Sequence, residues 1–237
     1  AFVQCSECAG EYSSPLDRRF HSQTNGCPTC GPTIWLTDGR QLQSRSGAAI
    51  QQAVEALRSG AIIAFRGIGG YQLLCDATSS TAVNQLRRRK QRPSKPLAVL
   101  VRDLGQADRV AKLDEKEREL LQSPANPIVL VESRSGAGVV DCVAPGLKRI
   151  GLMLPSTPLH WLLSSRVDRP LVATSGNQEG SPLAVEVQDA EIDLAGIADL
   201  FLHHDRDISH PVDDSVVQSI GKRTMLLRCG RGFAPLS

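Results

Sequence analysis

Aromatic residues are scarce in this 237-residue chain, at 4% of the total. That leaves little for stacking against bases and counts against a module that binds single-stranded nucleic acid. No apolar run approaches the ~20 residues that a membrane-spanning helix requires. The first residues, AFVQC, lack the basic start and long apolar stretch of a secretory signal. Net charge is only +2, so a polyanion-binding surface would have to come from local clustering. Cysteines are odd in number, seven, which fits a disulfide framework poorly and a reducing compartment with a metal site well. No internal repeat is visible. These absences point to a cytoplasmic globular protein with no membrane partner, and the length allows one large domain or two unequal ones. The chain opens just before a cysteine pair and stops just after RGFAPLS, and so reads as a piece of something longer.

What is present begins with CSEC, eighteen further residues and CPTC, which place Cys5, Cys8, Cys27 and Cys30 in two Cys-x-x-Cys turns. Each turn points two thiolates at one ion, and four thiolates complete a tetrahedral zinc site. Gly10, Gly26, Pro28, Gly31 and Pro32 supply the turns. Two redox dithiols or a disulfide are the rival readings, but a redox Cys-x-x-Cys begins a helix after a strand, and neither pair shows that context. His21 is a spare ligand that four cysteines make unnecessary. With no open position for water, the zinc is expected to be structural.

The knot is expected over residues 1–34, a polar connector over 35–45 and a globular domain over 46–237. Ile50, Ala53, Val54 and Leu57 mark one face of a helix closed by Gly60. Further helices are predicted at Ser80–Arg89, Leu104–Ala111, Glu115–Gln122, Leu159–Ser164 and Ala190–Ala198. Strands are predicted at Ala61–Phe65, YQLLC, Leu97–Val101, Ile128–Val131, Gly151–Leu154, Leu171–Thr174, Leu200–His203, Val216–Ile220 and Met225–Arg228. Strands interleaved with helices predict an α/β (α+β) domain with a mixed, twisted sheet.

Four clusters could carry chemistry. RGIGGYQL (Arg66–Leu73) is a glycine turn after a strand, without dinucleotide-binding spacing. LRRRKQRPSKP puts six basic residues within nine positions, Arg87 to Lys95. That density suits a polyphosphate or a nucleic-acid backbone, with a solvated helix face as the alternative. ATSGNQEGSPL offers Ser175 and Asn177 around Gly176 after an apolar strand, either a phosphate-holding turn or an ordinary one. HHDRDISHPVDDSV (His203–Val216) invites a metal-hydrolase reading, although Arg206 and paired surface charges account for much of its density. His160 reads as a hydrogen-bonded core histidine, and Cys75, Cys142 and Cys229 as small packed hydrophobes.

Together with the knot, EYSSPLDRRFHSQTNGCPTCGP, RGIGGYQLLCDA, RRRKQRPSKPLAVLV, IGLMLPSTPLHWLL, ATSGNQEGSPL, HHDRDISHPVDDSVV and MLLRCGRGFAP resemble the hydrogenase maturation carbamoyltransferases of the HypF family. From about Gln43 onward the chain resembles the YrdC-like domain that this family shares with threonylcarbamoyl-adenylate synthases of tRNA modification. The resemblance implies a YrdC-like fold that joins carbamate, derived from carbamoyl phosphate, to ATP with its Mg²⁺. The products are carbamoyl-adenylate and pyrophosphate. Other domains of such proteins pass the carbamoyl group to the C-terminal cysteine of a maturation protein (HypE-type), on the way to the cyanide ligand of nickel–iron hydrogenase.

By the same resemblance, Lys90 and Arg92 are the catalytic candidates. Lys90, Arg92 and Lys95 neutralise the triphosphate, Ser175 and Asn177 hold phosphate oxygens, and Arg206, Arg228 and Arg231 complete the ATP site. Gly67, Gly69, Gly70 and Tyr71 shape the carbamate pocket. Two alternatives stand beside this: an RNA-binding module and a threonylcarbamoyl-adenylate synthase.

Overall fold

Cys5 takes the N-cap position of the first helix in a computed structural model that describes residues 3–134, 136, 138–221 and 223–235. Helix α1 (Ser6–Ser13) starts directly after Cys5, so the first cysteine pair begins a helix, with no strand before it among the described residues. A hairpin of β1 (Ile34–Thr37) and β2 (Leu42–Arg45) follows, then α2 (Ser46–Arg58), β3 (Ile63–Arg66), β4 (Tyr71–Asp76) and α3 (Ser80–Arg89). The middle of the chain forms β5 (Ala98–Leu100), α4 (Leu104–Val110), β6 (Ala111–Lys112), α5 (Glu115–Gln122), β7 (Ile128–Ser133) and β8 (Arg149–Met153). The last part forms α6 (Pro158–Val167), β9 (Leu171–Ser175), α7 (Val187–Asp193), β10 (Leu200–His204), β11 (Val216–Ile220) and β12 (Arg223–Arg228).

Among the described residues one mixed sheet runs in the order β12-β11-β7-β8-β5-β9-β4-β3-β10-β1-β2, with β6 paired to β7. The segment expected as a connector thus supplies two strands of that sheet. Its polarity hides this because β1 needs only one buried face, and Leu36 fills it while β2 lies exposed at the edge. Helix α7 starts at Val187 and ends at Asp193, earlier than its apolar pattern predicts, and Ala198 packs from the loop beyond.

Alternation along the strands divides the core in two. On one face Leu73, Cys75, Val99, Val129, Leu152, Val172 and Val217 pack against α3 and α5. On the other, Ile63, Phe65, Leu74, Leu100, Met153 and Leu202 meet the apolar stripes of α2 and α6. Local signals set the helix ends. Ser79 accepts from the Ala82 N–H, Asp114 and Glu117 form a reciprocal capping box, and Thr157 caps α6 ahead of Pro158. The α6 cap carries Ser156 and His160 to one end of the second face.

Candidate functional site

That end of the sheet is hollow because its side chains are small. Across three neighbouring strands Ala173, Ala98 and Gly151 stand in register, Ala98 paired with both of the others. A Cβ on Gly151 would lie 2.7 Å from Ile128 Cγ2, so the position admits no larger residue without a shift. Over this floor lies a cavity of about 260 Å³, flanked by Leu97, Ile128 and Leu130 and closed by loops from all four sequence clusters except the helical part of the basic run.

Tight backbone contacts join the loops. Gly69 accepts from the Val212 N–H, and a Cβ there would sit 2.3 Å from the Val212 carbonyl oxygen. Gly67 donates to the Gly70 carbonyl to make the turn, and Tyr71 N–H donates to Ala184 O at 2.8 Å. Gly176 N–H donates to Tyr71 O at 2.7 Å, and a Cβ on Gly176 would strike the Tyr71 backbone. Gly69, Gly70 and Tyr71 therefore line the cavity through their main chain. The Tyr71 side chain points to the opposite core, where its hydroxyl lies 2.6 Å from His203 Nδ1.

The basic run divides. Arg87 turns inward, and its guanidinium donates to the carbonyls of Cys142, Val143, Arg92, Pro93 and Lys95. Arg89 pairs with Asp199 at 2.8 Å, and Lys95 pairs with Glu179 outside the cavity lining. Lys90 is 1% exposed and donates to Ser175 O (2.7 Å), Asn177 O (2.5 Å) and Asn177 Oδ1 (2.9 Å). An ammonium has three protons, so here none is left for a phosphate, and Lys90 shapes the Ser175–Asn177 turn from beneath. Burial lowers its pKa to about 8, with Arg92 adding to the shift.

Arg92 lines the cavity, and its buried Nε has no hydrogen-bond partner. Such a donor is costly to leave unmet and is the expected signature of a place for an anion. Arg228 lies on the same rim, held through Nε to Asp214 O. Arg231 is engaged with Asp214 and the Asn126 carbonyl, and Arg206 donates to Cys30 O. Neither of these two faces the cavity.

Gln72, Asp213 and Asp214, which belong to two of the four clusters but received no site role from the sequence, also line the cavity, together with Ser156 and His160 from outside the clusters. His160 is 1% exposed and stacked on Phe65, and burial lowers its pKa to about 3. One signal was available for the basic run. Val83, Leu86, Arg87 and Lys90 fall on a single helical stripe, which marks Arg87 and Lys90 as inward-facing. Cys229, expected to pack, is exposed.

The knot stands at the far end of β1. The sulfurs of Cys5, Cys8, Cys27 and Cys30 all lie within 4.8 Å of one another, with Cys5–Cys27 at 3.6 Å and Cys27–Cys30 at 3.9 Å. Zn–S bonds of ~2.3 Å in a tetrahedron place sulfurs about 3.8 Å apart, so the donor set fits zinc. Backbone N–H groups of Cys30 and Thr29 lower the Cys27 pKa to about 6 and that of Cys30 is lowered too, whereas burial raises that of Cys8, so the fold alone favours the thiolate at Cys27 and Cys30 and not at Cys8. His21 stacks on Phe20 instead of joining them. Among the described residues this is the one cluster that could hold a metal ion, and the 203–216 stretch forms none. The knot is tied to the loop after β10 by Thr33 N–H to Asp205 and by Arg206 to Cys30 O.

The Sua5/YciO/YrdC family, described as "Telomere recombination", matches residues 55–230, and the HypF finger matches residues 5–37. Carbamoyltransferase HypF of Rhodobacter capsulatus is 43% identical over 99% of this chain and 31% of its own length. Its counterpart in Synechocystis sp. is 48% identical over 85% of this chain and 26% of its own. The chain thus spans about a third or less of the curated relatives it matches. The crystal structure of full-length HypF in the phosphate- and nucleotide-bound form superposes with a TM-score of 0.91 at 37% identity, over 99% of this chain and 30% of that one. P. abyssi Sua5, at 23% identity and a TM-score of 0.68 over 78% of this chain and 57% of its own, shares the YrdC-like fold expected from the sequence. The chain belongs to the Sua5/YciO/YrdC family, in the HypF carbamoyltransferase branch that joins this domain to a HypF finger.

Proposed function

We propose that the cavity holds ATP and carbamate and joins them. A carbamate oxygen attacks the α-phosphorus and forms a new P–O bond. The bond to the bridging oxygen breaks, and pyrophosphate leaves with its electron pair and Mg²⁺. Such a transfer asks the protein for position and charge neutralisation more than for covalent chemistry. The observation that carries the reading is the buried, unpartnered Nε of Arg92 beside the Ser175–Asn177 turn. Arg92 and Arg228 receive the phosphates beside Ser175, on a turn that Lys90 and Asn177 brace from outside the lining, and Lys95 guards the outer side with Glu179. The apolar floor of Ala98, Gly151 and Ala173 suits a flat base. Gly69 and Gly70 let the acid approach the main chain, with Gly67 closing the turn.

Cys5, Cys8, Cys27 and Cys30 hold a structural zinc. Its chemistry is to cross-link the knot, and its four thiolates leave no position for water. Delivery of the carbamoyl group to a partner's C-terminal cysteine (HypE-type) belongs to parts of such proteins outside this chain, and a cytoplasmic setting agrees with its seven free cysteines. No helix among the described residues is long and apolar enough to cross a membrane. The inward turn of Arg87 and Lys90 removes much of the surface that an RNA backbone would use.

Pyrophosphate exchange into ATP, measured on this chain with carbamate and separately with threonine plus bicarbonate, tests the reading. Exchange with carbamate alone is the expected result. Exchange that requires threonine would instead make the chain a threonylcarbamoyl-adenylate synthase.

A further inference from the structure

One row of polar groups in the cavity is not needed to hold a nucleotide, and its protons can be assigned. Arg231 takes Asp214 Oδ1 at 2.8 Å, which neutralises that carboxylate and leaves Oδ2 to accept from Gln72 Nε2 at 2.7 Å. This orients the Gln72 amide, so Oε1 faces His160 Nε2 at 2.9 Å. A ring nitrogen facing a carbonyl oxygen carries the proton, so His160 Nδ1 is bare and accepts from Ser156 Oγ at 3.1 Å. Burial and the Phe65 stack keep the ring from turning.

The row therefore offers the cavity mostly lone pairs: a second one on Gln72 Oε1, those of Ser156 Oγ and those of Asp214 Oδ2. Its spare donor is the remaining amide proton of Gln72. Gln72 is also the cross-strand partner of Ser175, so the row adjoins the phosphate-holding turn. We infer that Gln72 and Ser156, held by His160 and Asp214, select the small acid by accepting the two N–H bonds of its amino group. The acid is thus carbamate in preference to bicarbonate, which has one O–H, or acetate, which has none. With the amino group turned to this row, the carboxylate oxygens face the Ser175 turn. His160 is a positioning residue, acting through Gln72 and Ser156. The inference rests on the adenylating reading above.

The test is pyrophosphate exchange on the zinc-loaded chain with fresh ammonium carbamate, bicarbonate or acetate. It is run on wild type, Ser156→Ala, Gln72→Met and His160→Phe, with ATP affinity measured by calorimetry. Each variant should keep ATP affinity within about twofold while its KM for carbamate rises about tenfold, the value of one lost hydrogen bond near 1.4 kcal/mol. The preference for carbamate over bicarbonate should shrink by a similar factor, with kcat changing less. Unchanged KM and unchanged preference in variants that bind ATP normally would overturn the inference. Should Gln72→Met or His160→Phe fail to fold, Ser156→Ala at its half-buried position decides alone. A wild type that binds ATP but exchanges with none of the acids would overturn the adenylating reading itself, and this inference with it.

Discussion

Replacing Lys90 by methionine keeps the stem and removes three charge-assisted hydrogen bonds to the Ser175–Asn177 turn. Bonds to a charged donor contribute about 1.5–3 kcal/mol each, but relief from burying an ammonium offsets part of that loss. Asn177 is half-buried and can recover water, so the net destabilisation should be about 2–4 kcal/mol in urea unfolding. Freeing the turn should also weaken ATP binding about 30- to 100-fold, equivalent to roughly 2–3 kcal/mol. If Lys90 acts through the turn, Asn177→Ala should duplicate much of the effect. A double-mutant cycle on ATP affinity should then show about 1–2 kcal/mol of coupling. Additivity within ~0.3 kcal/mol, with Lys90→Met folding as stably as wild type, would refute the positioning role and restore a direct contact with phosphate. Arginine should not rescue, because the site beneath the turn is closed and its acceptors surround one nitrogen.

His160 and His203 are held neutral by burial, with pKa values lowered to about 3 and about 4. The unfolded chain protonates near 6.5 and the folded chain does not, so their contribution is present above pH 6.5 and lost as pH falls toward the folded values. Each loses about 1.4 kcal/mol per pH unit in that window. The paired variant His160→Gln/His203→Gln should flatten the pH slope of urea stability, and an unaltered slope would discount both histidines. Zinc analysis should find one metal per chain. Removing it with a strong chelator should expose Ser6–Ser13 and the 204–208 backbone to hydrogen exchange while the central strands stay protected. Uniform exchange throughout would show instead that the knot is integral to the sheet. Gly151→Val should fill the cavity floor and lower ATP affinity at least tenfold, about 1.4 kcal/mol, with the zinc content unchanged. Normal ATP affinity in that variant would move the base elsewhere.

The sequence by itself determined what depends on neighbours along the chain. Two Cys-x-x-Cys turns make a four-sulfur site wherever the chain goes, because each turn presents its own pair of thiolates. Caps and apolar stripes determined α3 and α5, whose stop and start signals lie within three or four residues of the ends. The RGIGG, SGN and HPVDD stretches stood out because small and turn-forming residues mark loops in any context.

Only the tertiary structure decided which of these loops share a cavity and what each charge does there. Ala98, Gly151 and Ala173 look like ordinary strand residues until register places them side by side. The hairpin at Ile34–Arg45 reads as a polar connector until β10 provides its partner. Arg206 and Arg231 carry the same charge as Arg92, yet one meets a carbonyl of the knot and the other a half-buried carboxylate. Arg92 alone of the three lines the cavity, with Nη2 on Pro96 O and a buried Nε unmet. Charge is a property of the residue, whereas the partner that satisfies it is a property of the fold, because a buried donor is settled by whichever acceptor long-range packing brings within reach.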